Sequence, residues 1–458
     1  MKVVLEMGLV AAVWMGPSVG TGAAPLLPGD GPLLEKQLQE VGDARFHLPR
    51  GWKIKTATEG EPRAGETYLH LTHVDEDGEI SQIALMQVRG TRGQLKQSAL
   101  TLLSADRFGF DVTLDDVTLT EARQGYPVAY VRDWARSDEL KRGVEARAFA
   151  MKPKSALELV LYLSTADGVA EYEREAEFEA FMRDLRFASA KDPIFDPMTP
   201  RASVDRINAL AYTTSLVNTF NAFGGMDLDT NVEYVYLAAD GHYTRTIPAD
   251  GRLDRIDWEK LLREEPTDAG VYEIRRKKGS DEARLILRTL DEYGFLDEVE
   301  GRLEFEPAGD AGAGRETREK SKVKALEIDG SEQLLLPPLE RRRLRGRYTY
   351  IYGSTGSTAF SSGSFSGSKT IVFTRTGKFE SSGYFAASFS HETGGSTTSG
   401  VTGSEKPSTR GTYSLEGHTL TLHFDDGTVA ERFCHPCGDE DDAMLMIDES
   451  PYLFKGRR

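Results

Sequence analysis

Cysteine is almost absent from this chain: Cys434 and Cys437 are the only two in 458 residues. No disulfide framework can hold the fold together, and none is needed, because this length allows about three domains of ~150 residues, each with an adequate core. Long apolar runs are missing too, and no stretch reaches the ~20 residues that a spanning helix requires. Positive charge is in deficit, with 56 Lys and Arg against 73 Asp and Glu and a formal net charge of −17. The cations are scattered among the acids, so no basic face offers itself to phosphates and nucleic-acid binding is excluded. The acid surplus itself serves solubility.

Local catalytic signatures are also lacking. There is no phosphate-cradling Gly-Lys-Ser/Thr loop and no dinucleotide fingerprint. Gly363-Ser-Phe-Ser-Gly367 has the outline of a nucleophile elbow but carries Phe365 where the serine belongs. Asp227-Leu-Asp-Thr-Asn231 starts like a calcium loop, then places Val232 at the turn glycine and Ala238 at the bidentate glutamate. His391-Glu392 lacks the second histidine of a zinc-protease helix, and Asp75-Glu-Asp-Gly78 reads as a hairpin turn. The basic run Arg341-Arg-Arg-Leu-Arg-Gly-Arg347 is short and reads as a solvated boundary.

What is present begins with residues 1–24, which read as a secretory signal: Lys2, an apolar run from Met7 to Met15, then small residues to Ala24. Glu6 and the single positive charge run against it, so a misassigned start or a cytoplasmic chain stays open. On the signal reading the mature chain is periplasmic or extracellular, without a transmembrane segment. A tether (25–42) follows, rich in Pro and Gly up to Pro32 and then a short helical stretch.

From Asp43 to Phe187, strand-like runs are expected at Thr67–Val74, Ile80–Val88, Val117–Thr120, Val128–Trp134, Ala146–Met151 and Leu157–Ser164. Helical periodicity is expected over Thr91–Arg107 and Val169–Leu185. Strands and helices segregated in this way make an α+β unit, an antiparallel sheet packed against helices. The opening Phe46-His-Leu-Pro-Arg-Gly-Trp52, followed by these elements, resembles PsbP-type domains, through Pro49, Gly51 and Trp52. That resemblance implies an accessory or binding factor and lends no catalytic residue.

A proline-rich linker (188–202) leads to a segment, Ser203 to Ala222, whose apolar spacing predicts a helix. Beyond it the chain alternates with period two and repeats itself. Glu233–Tyr243 matches Lys369–Phe379, and Gly270-Val-Tyr-Glu-Ile274 matches Gly411-Thr-Tyr-Ser-Leu415. Each copy is a meander that cannot bury its apolar face alone, so the copies should stack or close into barrel-like sheets. A strand carrying Gly-x-Phe, answered by Gly-x-Tyr and a later Asp-Gly turn, resembles the lipocalin-like β modules of bacterial secreted proteins, over Val232 to Lys455. The Ser/Thr/Gly-rich segments Gly353–Lys369 and Ser388–Thr409 read as mobile surface loops that could rim a ligand mouth.

Cys434-His-Pro-Cys437 is the one local constellation that invites chemistry. Structural zinc needs four ligands and no second cysteine pair exists; a redox pair would sit at a helix N-terminus. In an exported chain the plainest reading is a local disulfide or inert thiols, with the metal and redox readings beside it. His418 and His423 lie five apart on one strand and so point to opposite faces.

The expected protein is therefore multidomain: an α+β domain (43–187), the linker (188–202), a helix plus first β module (203–340) and a second β module (341–458). No catalytic, cofactor or metal residue is singled out and no cofactor is implied. The expected role is that of an exported envelope protein acting as a non-enzymatic binding or accessory factor, for a small apolar ligand or an envelope partner. A hydrolase whose site is assembled from distant residues, or a structural surface component, competes with it.

Overall fold

The computed structural model describes residues 33–456 apart from 58–66, 76–79, 90–93, 104–109, 111, 138–141, 166–167, 191–195, 202–205, 221–225, 277–279, 307–322, 340–343, 358–360, 394–395, 438–443 and 449. The expected signal, most of the Asp75–Gly78 turn, Arg341–Arg343 and the acidic residues after Cys437 lie outside the described residues. The chain divides into two compact units: one holds everything up to Thr199 together with Leu290–Asp297, the other Pro200–Thr289 and the chain from Glu298 onward. No helix among the described residues is long and apolar enough to cross a membrane.

In the first unit β1 (Leu34–Val41), β2 (Ala44–Pro49) and the short β10 (Arg186–Phe187) form a three-stranded sheet. The expected helical stretch before Phe46 is thus a strand, turned onto β2 by Gly42 at φ 57. Seven strands form the second sheet: β3 (Lys53–Ala57), β4 (Thr67–Val74), β5 (Ile80–Arg89), β6 (Thr118–Glu121), β7 (Pro127–Ser137), β8 (Arg142–Met151) and β9 (Ala156–Ser164), in the order β3-β4-β5-β9-β8-β7-β6. β9 lies at its centre and is buried on both sides. Leu157, Leu159 and Leu161 pack with Leu95, Ala99, Leu102 and Leu103 of α1 (Leu95–Leu103). Val160 and Tyr162 pack with Phe178, Phe181 and Met182 of α2 (Gly168–Asp184). Alternate residues thus face two helices, which is why β9 reads as an unbroken apolar run.

Trp52 is a core residue, 2 % exposed, and its indole N–H donates to Glu177 Oε2 at 2.7 Å. Arg147 of β8 is wholly buried; its Nε donates to Glu145 Oε1 at 2.8 Å and its Nη1 to the Tyr293 hydroxyl at 2.9 Å, while Nη2 pairs with Glu175. The rings of Tyr162, Phe178 and Tyr293 stand 5.7–5.9 Å from the guanidinium carbon. This satisfies a buried cation, which would otherwise be costly, and ties the Leu290–Asp297 segment into the core.

The second unit holds two closed eight-stranded barrels, each a continuous antiparallel meander. The first runs through β11 (Ala209–Phe220), β12 (Met226–Leu237), β13 (His242–Thr244), β14 (Ala269–Arg276), β15 (Glu282–Leu290), β16 (Leu296–Phe305), β17 (Val323–Ile328) and β18 (Ser331–Leu336). A short helix, α3 (Trp258–Glu264), falls between β13 and β14. The second runs through β19 (Gly346–Ser357), β20 (Ser361–Phe373), β21 (Lys378–Thr393), β22 (Ser396–Glu416), β23 (Thr419–Phe424), β24 (Val429–Pro436), β25 (Met444–Ile447) and β26 (Ser450–Phe454). β18 closes on β11 through Leu210↔Leu336, and β26 on β19 through Tyr348↔Phe454. Closure leaves no sheet edge where the strands meet.

Two expectations are corrected here. The helix predicted over Ser203–Ala222 is strand β11, paired with β12 from Ala209↔Leu237 to Phe220↔Met226. Ala211 belongs to the barrel core while Leu210 and Tyr212 belong to an apolar cluster outside it. A strand buried on both faces loses its period of two and imitates helical spacing. The Ser/Thr/Gly-rich segments predicted as loops are long paired strands: Gly353↔Ser366 to Ser357↔Ser362, and Ala386↔Gly403 to Thr393↔Ser396. Small polar residues can still ladder where a neighbouring strand supplies backbone partners along their length.

Candidate ligand cleft in the second barrel

The repeated sequence motif has a common physical basis in both barrels. After the second strand a turn is closed by Ala238 N–H to His242 O at 2.8 Å in one copy and Thr374 N–H to Lys378 O at 2.9 Å in the other. Gly241 (φ +98) and Gly377 (φ +78) take the left-handed position in that turn. Tyr272 then donates its backbone N–H to Gly241 O at 2.9 Å, as Tyr413 does to Gly377 O at 2.8 Å. Both hydroxyls reach the same two places. Tyr272 Oη lies 2.8 Å from Ala238 O and 2.9 Å from Ile207 O; Tyr413 Oη lies 3.3 Å from Thr374 O and 2.7 Å from Leu344 O. Two residues before each tyrosine, Gly270 and Gly411 pass so close to the next strand that a Cβ would collide with the carbonyl of Arg288 or His423. The same Cβ would sit 2.7 Å from the Tyr243 ring or 2.9 Å from the Phe379 ring. Gly-x-aromatic and Gly-x-Tyr are thus two halves of one clamp that fastens the third and fourth strands to the chain entering the first.

The copies differ around that clamp. In the second barrel a cleft of about 540 Å³ opens at the end where β19 begins and β20 turns into β21. That is the opposite end from the Ser/Thr/Gly-rich hairpin tips, where a ligand mouth was expected. Arg345, Arg375, Lys378 and Arg410 line it together with Glu380 and Asp425, over an apolar floor of Val372, Phe373 and Phe379. Gly346 and Gly411 add no side chains to its wall. Phe373 and Phe379 are buried and held edge-to-face, Phe373 by Tyr413 at 4.8 Å and Phe379 by Phe424 at 5.2 Å. Arg410 Nη2 donates to Glu380 Oε1 at 3.3 Å.

Strand register fixes the equivalents in the first barrel, because Ala209↔Leu237 corresponds to Gly346↔Phe373. The positions of Arg345, Arg375, Lys378 and Arg410 are there Asn208, Ala239, His242 and Ala269. His242 is stacked on Trp258 of α3, with ring centroids 4.9 Å apart at 13°. The same scaffold stands without the cations, so nothing in the fold requires them.

The cysteine pair lies on the side of the second barrel that meets the first. Both thiols are free in the structure. Cys434 packs inside the second barrel, where burial pushes its thiol up to about 12. Cys437, three residues on, faces the cluster outside it, with the Tyr212 hydroxyl 3.1 Å from Sγ. A spacing of three on an extended chain puts the two on opposite faces. Between them His435 is wholly buried: Nδ1 lies 2.8 Å from the Pro436 carbonyl, which can only accept, so Nε2 accepts from the Tyr234 hydroxyl at 2.9 Å. Burial lowers both His435 and His418 to about 4, so both are neutral. His418 is buried in the turn after β22 while His423 is exposed on β23, and the structure does not bring them together. Among the described residues no group of three or more His, Cys, Asp or Glu could hold a metal ion. Asp227–Asn231, Gly363–Gly367 and His391-Glu392 all lie within strands.

The cleft's four cations escaped sequence reasoning because they are spread over 66 positions from Arg345 to Arg410 and converge only through strand pairing. The available signal was the repeat itself: once the copies are aligned, the cations stand out as differences.

No protein-family model matches the chain, and no curated protein matches it. A solved structure from Bacteroides thetaiotaomicron VPI-5482 is similar at 11% identity and a TM-score of 0.21, covering 39% of this chain and 50% of that one. The chain therefore spans half the length of that neighbour, and a likeness of this size carries no statement about function.

Proposed function

We propose that this chain is an exported envelope protein that acts as a non-enzymatic binding or accessory factor, with a PsbP-like α+β first domain and two lipocalin-like β modules. The observation that carries the binding role is the cationic cleft, built on one of two repeated barrels, whose twin has Asn208, Ala239, His242 and Ala269 at the cationic positions. A duplicated scaffold that keeps its clamp in both copies and concentrates cations in one, within a chain of net charge −17, supports recognition by shape and charge. The cysteine and histidine groups support the non-enzymatic side of the proposal. One thiol is buried in a core, and the histidine beside it has both ring nitrogens engaged, so neither is presented to a substrate. Export rests on the signal-like residues 1–24.

Fractionation of the source cell with N-terminal sequencing tests the proposal. A chain starting at or just after Ala24, outside the cytoplasm, is the expected result. A cytoplasmic chain that retains Met1 would remove the export premise.

A further inference from the structure

We propose that the cleft of the second barrel takes a small molecule that carries one acidic group on an apolar body. The inference rests on the binding-factor proposal above and names the ligand chemistry of that site. Charge sets the first half. Arg345, Lys378 and Arg410 converge on the cleft, and a guanidinium can engage a carboxylate, sulfonate or phosphate through two parallel N–H donors. With Arg375 the lining holds four cations, and less the two acids Glu380 and Asp425 it keeps a net charge of two, enough for one acidic group and too little for a polyanion. The floor sets the second half. Phe373 and Phe379 line the cleft and are fixed by their edge-to-face partners, and the Phe379 ring packs directly on Gly411, where any side chain would strike it. A rigid aromatic floor under a charged rim buries the body of an amphiphile while its head stays at the mouth. At about 540 Å³ the cleft falls within the ~300–1,000 Å³ range of small-molecule sites. The first barrel provides the contrast, with uncharged residues at three of the four cationic positions and His242 beneath Trp258 at the fourth.

The test uses the full chain and the fluorescent probe 8-anilinonaphthalene-1-sulfonate, with N-phenyl-1-naphthylamine as its uncharged counterpart. The anionic probe is expected to saturate one site. Its affinity should fall about tenfold or more in the double variant Arg345→Gln/Lys378→Gln and remain unchanged in Lys324→Gln on the outside of the first barrel. Octanoate should displace the probe, while 1-octanol and inorganic phosphate should not. Near-ultraviolet circular dichroism of each variant confirms that the barrel is retained. Equal displacement by octanol would overturn the acidic group, and equal displacement by phosphate would overturn the apolar body. Equal affinity in the cleft and control variants, or no saturable binding, would overturn the site. Displacement results that overturn the acidic group or the apolar body leave the binding role standing, and none of the outcomes bears on whether the chain is exported.

Discussion

The two tyrosine clamps allow one substitution to be made twice in the same molecule, and the structure predicts unequal costs. Tyr272 is 3 % exposed; its hydroxyl accepts from Ile207 N–H at 3.2 Å and shares its hydrogen between Ala238 O and Ile207 O. Tyr272→Phe removes these partners where water cannot replace them, so about 1–3 kcal/mol should be lost from the closed turn. At 1.4 kcal/mol per tenfold, exchange of the amides it holds should quicken by about 5- to 150-fold. Tyr413 is only half-buried, and its hydroxyl reaches the carbonyls of Leu344 and Thr374. Water can take over at Leu344 O and Thr374 O, so Tyr413→Phe should cost about 0.5–1 kcal/mol, a factor of a few in exchange. Hydrogen exchange read by mass spectrometry over 238–243 and 270–274, against 374–379 and 411–415, compares them under one condition. It also avoids treating a chain of several domains as two-state. If the Tyr413 variant loosened its turn as much as the Tyr272 variant, burial would not be what sets the strength of the clamp.

Three further outcomes follow from the same structure. Gly270→Ala and Gly411→Ala should each cost about 3 kcal/mol or more, because the new methyl meets a backbone carbonyl that strand pairing holds in place; soluble variants with unchanged melting would refute the equivalence of the two sites. In the second unit, His418 and His435 sit at about 4 instead of the ordinary 6.5 because of burial. Below ~6.5 the unfolded chain takes protons that the folded one refuses, so stability is complete above that value and is lost as pH falls toward 4. In the first unit burial raises Glu179 and Asp291 to about 7, so their contribution is present below the unfolded carboxylate value and is lost as pH rises through 7. Exchange corrected for intrinsic rates should show segments 416–424 and 431–437 better protected at about pH 8 than at about pH 5, and 175–183 with 290–297 the reverse. Matching responses in the two units would contradict both assignments.

Most strands of the first unit were legible because half-buried strands alternate: Thr67–Val74 is observed with the bounds its sequence predicts. Both helices of the first unit were legible through their spaced apolar residues, whereas the seven-residue α3 of the second unit was not anticipated. The misread segments share a cause, since β1 and β11 owe their conformation to a partner strand rather than to a pattern of their own. The Ser/Thr/Gly segments failed for the complementary reason, as composition speaks to burial and not to backbone pairing. The repeat was visible because its glycines are fixed by close approach and its tyrosines by hydroxyls bonded to backbone carbonyls, buried in one copy and half-buried in the other. The insertion of Leu290–Asp297 into the first unit was not visible: Tyr293 and Phe295 look like ordinary hairpin residues until Arg147 and Phe149 are placed around them.

Duplication explains how one copy came to hold the pair together while the other kept an open cleft. Between its third and fourth strands the first barrel carries residues 245–268, and this excursion reaches the second barrel. Phe433 N–H donates to Ala249 O at 2.9 Å, Arg252 bridges Glu416 at 3.2 Å and Glu431 at 2.6 Å, and a Cβ on Gly251 would lie 2.5 Å from His418 O. Ile247, Leu253, Ile256 and Trp258 fill the space against Tyr234, Tyr236 and Phe433, so the interface is apolar at its centre and charged at its edge. In the second barrel the same strands run straight on, β21 to Thr393 and β22 from Ser396, and among the described residues no helix covers Lys378 as α3 covers His242. Replacing Ser381–Thr409 of the second barrel with the 245–268 excursion should therefore close the cleft without disturbing the Tyr413 clamp. Loss of probe binding with unchanged exchange at 374–379 would show that the open rim, and not the barrel interior, is where the two copies parted in function.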